Sequence, residues 1–340
     1  MSEPAATPTQ AAPAGVIARR TAVAIAVLAL IAVPYAIQQE YYVNIASQVL
    51  LYAVFAMGLN VLVGYAGLVS LGHAGLFGVA AYIDAYLLAA GHGHGVAIAG
   101  ALVGSLAATA IFAALSLRAS GISFIMITLA LGEIIWGLAY RWISITGGDN
   151  GISVSTRPAP FGLSLDSPRA FYDATLVIFL IAIVAVAIFV RSPFGAALCG
   201  TRDQPRRMNA LGYHVWMVRF GAFLFSGLLT AVAGILFVYY NEFISPQALA
   251  LTASAEGLLM VISGGAGTLL GPVVGAALVV IVKNVVSAYI TRWNFMLGAI
   301  FVAIVVFMPE GLVPGVVRLI RSAWRATGRR RVTAGAGAKR

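Results

Sequence analysis

The chain has 340 residues, 61% of them hydrophobic and 9% charged, against about 45–50% and about 25% in ordinary soluble domains, so a water-soluble globular protein is excluded. Its 21 Lys and Arg against 11 Asp and Glu leave a formal net charge of +10. The basic residues lie in gaps between apolar runs and form no patch on a polar face, which argues against nucleic acid as the partner. A single cysteine, Cys199, excludes a disulfide framework and any multi-cysteine metal site.

Residues 1–20 are rich in Ala, Pro and Thr without apolar periodicity and read as a disordered tail. From Thr21 onward come runs of the length that crosses a bilayer as helix, about 20 residues each. They are expected near Thr21 to Ile37, Val43 to Val63, Leu71 to Ala90, Val96 to Leu117, Ile122 to Ile143, Ala174 to Val190, Phe220 to Tyr240, Leu249 to Ile262, Gly271 to Ile290 and Phe295 to Met308. The first is read as a signal anchor, because Pro34, Tyr35 and the Gln-Gln-Glu that follow offer no small-residue cleavage site. The third is expected to be partly re-entrant, and the eighth is short. The fold class is therefore all-α: a polytopic bundle of about ten spans over residues 21–315, with a basic tail over 316–340.

Cytoplasmic loops hold the excess of Lys and Arg. Arg19 and Arg20 precede the first run, Arg118 follows the fourth, and Arg191, Arg202, Arg206, Arg207 and Arg219 crowd the loop after the sixth. Eight more follow the last run, so an even number of spans with both termini cytoplasmic puts sixteen of the 21 basic residues on one side. Lys283 is among the exceptions.

Many of the 37 glycines cluster in GYAGLVSLGHAGLFG (Gly64 to Gly78) and SGGAGTLLGPVVGAA (Ser263 to Ala277). Two readings fit. Small residues form close-packed helix seams, and glycine also lets a helix break where the freed backbone lines a path. Four ionisable groups, His73, Asp84, Glu133 and Glu256, sit inside apolar runs, where a charge usually faces the bundle interior. For the two glutamates a structural or gating role is weighed against substrate contact. His73 beside Gly72 reads as a satisfied interfacial histidine.

Some chemistry is missing. A nucleotide-binding P-loop needs Gly-Lys followed by Ser or Thr, but Lys283 and Lys339 follow Val282 and Ala338, so ATP energy has to come from another polypeptide. No HExxH or GxSxG motif is present, and GHGHG (Gly91 to Gly95) lacks further metal ligands nearby. The segment 191–219 reads as folded: Asp203 is expected to cap a helix of about two turns from Gln204 to Leu211, with Pro205 in its first turn and Gly212 as its left-handed exit. Met208 and Leu211 share a face beside Arg206 and Arg207, which suits docking into a partner's groove or contact with lipid headgroups.

Six motifs in order, NVLVGYAGLVSLGHAGLFGVAAY, ITLALGEI, SITGGDNGI, RSPFGAALCGTRDQPRRMNALGY, SAEGLLMVISGGAGTLLGPVVGAAL and FMPEGLVPG, resemble the LivM-type permease subunits of branched-chain amino-acid ABC importers, over about Ala46 to Gly315. The resemblance implies an inner-membrane subunit without catalytic residues or a cofactor of its own. It pairs with a second homologous permease, two ATPases that carry ATP and magnesium, and a periplasmic substrate-binding protein. It also implies that Arg202, Asp203, Arg206, Arg207, Met208, Leu211 and Gly212 form the coupling segment that docks on the ATPase, although Gln204 and Pro205 depart from the family's usual residues. The pathway and gating candidates are Gly64, Gly67, Ser70, Gly72, His73, Glu133, Gly147, Gly148, Asn150, Glu256, Gly264, Gly265 and Gly267. Within this class, urea, short amides or aromatic acids are alternative substrates. In another class, an ion-coupled secondary carrier would use Asp84, Glu133 or Glu256 as its ion site and need no ATPase dock.

Overall fold

The computed structural model describes residues 39–154, 165, 167–286, 293–308 and 310–316, with isolated positions between 28 and 35 and at 318. The expected tail 1–20, most of the first apolar run and most of the basic tail lie outside the described residues. The helices in chain order are α1 (Glu40–Asn60), prolonged by a π-helical turn (Val61–Ala66), α2 (His73–Ala89), α3 (His94–Ser116), α4 (Ile122–Arg141), the single turn α5 (Ile143–Thr146), α6 (Pro168–Arg191), α7 (Pro193–Asp203), α8 (Pro205–Ala210), α9 (Val215–Asn241), α10 (Leu251–Gly264), α11 (Gly271–Ile281) with a π turn (Val282–Val286), and α12 (Trp293–Phe307). Two short strands, β1 (Ile152–Ser153) and β2 (Phe243–Ile244), pair antiparallel with Ile152 opposite Ile244, tying the segment after α5 to the end of α9.

Helix starts follow local chemistry. Pro168, Pro193 and Pro205 open α6, α7 and α8, where a missing N–H costs nothing. The hydroxyls of Ser167 and Ser192 accept from the amides of Ala170 and Gly195, each at 3.2 Å. Inside the helices, buried Ser47, Thr109, Thr175 and Thr230 donate to the carbonyl four residues back at 2.7–3.0 Å, which satisfies them within their own helix.

Each expected run from Val43 onward corresponds to a helix, but only five helical stretches among the described residues are long and apolar enough to cross a membrane: Glu40–Ala66, α3, α4, α6 and α9. Three shorter apolar helices, α2, α10 and Gly271–Asn284, accompany them. The 17 residues of α2 rise about 25 Å, short of the roughly 30 Å of hydrocarbon. The architecture is thus a multi-pass helical bundle in which full-length and short helices mix.

Lipid and core faces are both apolar, so periodicity alone does not separate them. On α6 the exposed Val177, Ile181, Val184 and Ile188 form one stripe, while Phe171, Thr175, Phe179, Ala182 and Val186 are buried on another. The centre belongs to α1, whose most apolar stretch is 83% buried, against 22% for α4. Around α1 pack α6, α9 and α11, and α9 in turn packs on α2 and α3. Glycines permit the closest approaches: a side chain on Gly234 of α9 would strike the Phe77 carbonyl of α2.

Candidate functional site

The π turn after α1 ends at Gly67, whose φ of 69° lies in the left-handed region that glycine adopts without strain. The chain then doubles back, and α2 starts at His73 beside Ser226, eleven residues into α9. Its first turn is wholly buried, so α2 begins within the bundle.

At this break the two glycine-rich stretches meet. A Cβ on Gly64 would run into the Gly267 nitrogen and Asn60 Oδ1. The Asn60 amide bridges the two stretches: Nδ2 donates to the Thr268 carbonyl and Oδ1 accepts from the Gly267 amide, both at 2.9 Å. Gly265 and Gly267, in the connection between α10 and α11, have φ of 118° and 77°. Gly264 and Gly265 leave no room for side chains against the backbone of Gly271 and the ring of Pro314. Seam and break, which the sequence left as alternatives, therefore coincide: these glycines are close-packed because the helices break there.

His73 is satisfied and fully buried in the core. Ser226 Oγ donates to the Gly58 carbonyl at 2.6 Å, so its lone pairs face His73 Nε2 at 3.0 Å and that nitrogen is the donor. His73 Nδ1 then accepts from Ser70 Oγ at 2.8 Å, and a neutral ring ties α1, α2 and α9 together. Gly72 lies against the Thr128 carbonyl of α4 with no space for a Cβ.

The other intramembrane groups diverge. Glu133 is half-buried on α4. Asp84 is fully buried in α2 with neither carboxyl oxygen hydrogen-bonded. Glu256 of α10 accepts from Lys283 Nζ through both oxygens, at 3.0 and 3.2 Å. Lys283, an exception to the loop-charge pattern, is thus placed by a carboxylate partner. Gly147, Gly148 and Asn150 stand apart from the break: φ of 72° and 61° at the two glycines shapes the turn that leads into β1.

At the basic end, α8 has six residues, none buried, and the chain leaves it through Gly212 with φ 86°. The expected cap is corrected. Asp203 is the last residue of α7 and its Oδ1 accepts from Arg202 Nε at 2.9 Å, a bond that moves the guanidinium pKa above its ordinary value. The residue at the N-terminal boundary is Gln204, extended at φ −146° and ψ 80° and without a capping side-chain bond, because the residue before a proline is driven out of the helical region. The expected exposed pair is half right: Leu211 is exposed, whereas Met208 folds back over Gly200. Arg206 and Arg207 are exposed. Sequence reasoning missed Tyr213, Trp216 and Met217, which extend the exposed apolar surface past Leu211.

Arg202 connects this segment to the break. Its Nη1 donates to the Gly64 carbonyl at 2.8 Å, and its aliphatic stem covers Gly67. Arg219 Nη2 donates to the Thr201 carbonyl at 2.7 Å and fixes the start of α9 on the end of α7. Asn60, Ser226, Thr268 and Lys283 were also missed. Asn60, a lone amide in an apolar run, and Lys283, a lone cation in another, carry signals that would have marked them in advance.

Residues 41–305 match the family model described as the permease component of the branched-chain amino acid transport system. The chain is 31% identical to the high-affinity branched-chain amino acid transport system permease protein LivM of Salmonella typhimurium, over 80% of this chain and 70% of the relative. It shows the same identity and coverage with LivM of Escherichia coli. To the permease protein LivH of Escherichia coli it is 22% identical over 77% of this chain and 91% of the relative. No solved structure matches the chain. With its helical bundle broken at paired glycine stretches, the chain belongs to the family of permease components of branched-chain amino acid transport systems, a transport component and not an enzyme.

Proposed function

We propose that this chain is the translocation subunit of an ATP-driven importer in the bacterial inner membrane, moving branched-chain amino acids or related small solutes by alternating access. Solute arrives on a periplasmic binding protein. The chain pairs with a second homologous permease, and ATP and magnesium act on two partner ATPases. Family membership supports this reading, and one observation carries the coupling part of it: a short helix with no buried residue, α8, stands at the arginine-rich end and is joined through Arg202 to the carbonyl of Gly64.

In this reading α8, with Arg206, Arg207 and Leu211, docks on the ATPase. A push on α8 reaches the helix break directly, because Arg202 lies in the last turn of α7, with only Asp203 and Gln204 between it and the first residue of α8. The glycines at 64, 67, 72, 264, 265 and 267 with Ser70 and His73 form the hinge, and both termini lie on the ATPase side. The test is Arg206→Glu with Leu211→Asp. The variant is expected to insert normally and lose ATP-dependent uptake in proteoliposomes together with ATPase co-purification. Uptake at the parental rate would remove α8 as the dock.

A further inference from the structure

A cavity of about 340 Å³ opens among α1, α2, α9 and α10, within the roughly 300–1,000 Å³ typical of small-molecule sites. Its lining combines two chemistries. Phe77 stands edge-on to Phe55 at 5.4 Å and to Phe237 at 5.3 Å, giving an aromatic surface contributed by three helices. The same cavity is lined by Glu256 and Lys283, whose side chains stay 20% and 38% exposed although paired. Lys283 projects from the π turn after α11, an irregularity that recurs at functional sites.

We propose that this cavity is a binding station for a zwitterionic amino acid with an apolar side chain, its ammonium on Glu256, its carboxylate on Lys283 and its side chain on the phenylalanines. The station rests on the importer reading above. Entry of a zwitterion replaces one ion pair by two and brings no net charge into an apolar bundle. A lone cation or anion would leave Lys283 or Glu256 without its counter-charge, a state that is strongly unfavourable when partly buried. A neutral solute such as urea has no charge with which to open the pair. The cavity thus selects by charge pattern first and by side chain second.

The experiment uses the complete transporter, purified with its ATPases and second permease and reconstituted with its binding protein. Glu256→Gln with Lys283→Met removes both charges of the pair together. This variant is expected to assemble with its partners and to import leucine at least about tenfold more slowly. A separate chain carrying Cys199→Ser and Thr252→Cys, which places a thiol at the cavity, is expected to react with N-ethylmaleimide more slowly in leucine than in urea. Leucine import at the parental rate by the charge-free pair, or a labelling rate that leucine does not change, would overturn the station, since the pair would then be only a strap between α10 and α11. Wild-type transporter that imports urea and not leucine would overturn it as well. Purification of the wild-type chain without ATPases would instead strike at the importer reading, while leucine protection of the introduced thiol would still support the station.

Discussion

The two ends of the bundle are held differently. At the arginine-rich end, long-range hydrogen bonds from Arg202, Arg219 and Asn60 fix backbone groups of α7, the π turn and the connection between α10 and α11. Toward the other end lie the partly exposed Glu256–Lys283 pair, a cavity and the unpaired carboxyl of Asp84. A backbone carbonyl or amide pinned by a directed bond cannot slide without losing it, whereas a partly exposed ion pair beside a cavity leaves its side chains room to reorient. One end is tied through backbone groups and the other through side chains.

The contrast breaks most visibly at Gly64. Any side chain there meets backbone on one side and Asn60 on the other, so Gly64→Val is expected to cost more than about 4 kcal/mol, the range of severe core lesions. It should abolish the monodisperse peak in size-exclusion chromatography, and a normal peak would show that the break is slack. Next comes Asn60→Leu, which leaves the Gly267 amide and the Thr268 carbonyl without their bonds. A loss of about 2–3 kcal/mol is expected, read as a lowered Tm of detergent-purified protein; an unchanged Tm would mean that the amide clamps nothing. The smallest effect belongs to the loose end. Asp84→Asn removes an acid that no partner rewards, so its Tm is expected to stay within about 2 °C, roughly 1 kcal/mol in a chain of this size. A larger fall would mean that Asp84 is as tightly built in as His73.

Much of this was legible from residues alone. Apolar runs located the helices, because twenty consecutive apolar residues have few other solutions in lipid, and Pro205 with Gly212 framed α8. The glycine stretches announced a break but not that Gly64 and Gly267 touch, since contact across some two hundred residues leaves no periodic trace. The number of spans is less legible. A run such as Leu71 to Ala90 is apolar whether it crosses the bilayer or starts inside the bundle, and only the placement of His73 against Ser226 distinguishes these. Asp203 shows the same limit on a smaller scale. Its type suits a cap, yet proline's steric demand on Gln204 and the adjacent Arg202 gave it another role.

The Asn60 bridge also orders events in time. It joins residues 208 apart in sequence, and at synthesis rates of about 5–20 residues per second the first half waits roughly 10–40 s for Gly267 and Thr268 to emerge. Until then the amide sits in an apolar helix without its two partners. A chain truncated before Ser263 would keep every full-length span the structure describes and still carry this defect. The bridge therefore forms only in a chain that has been made as far as Thr268.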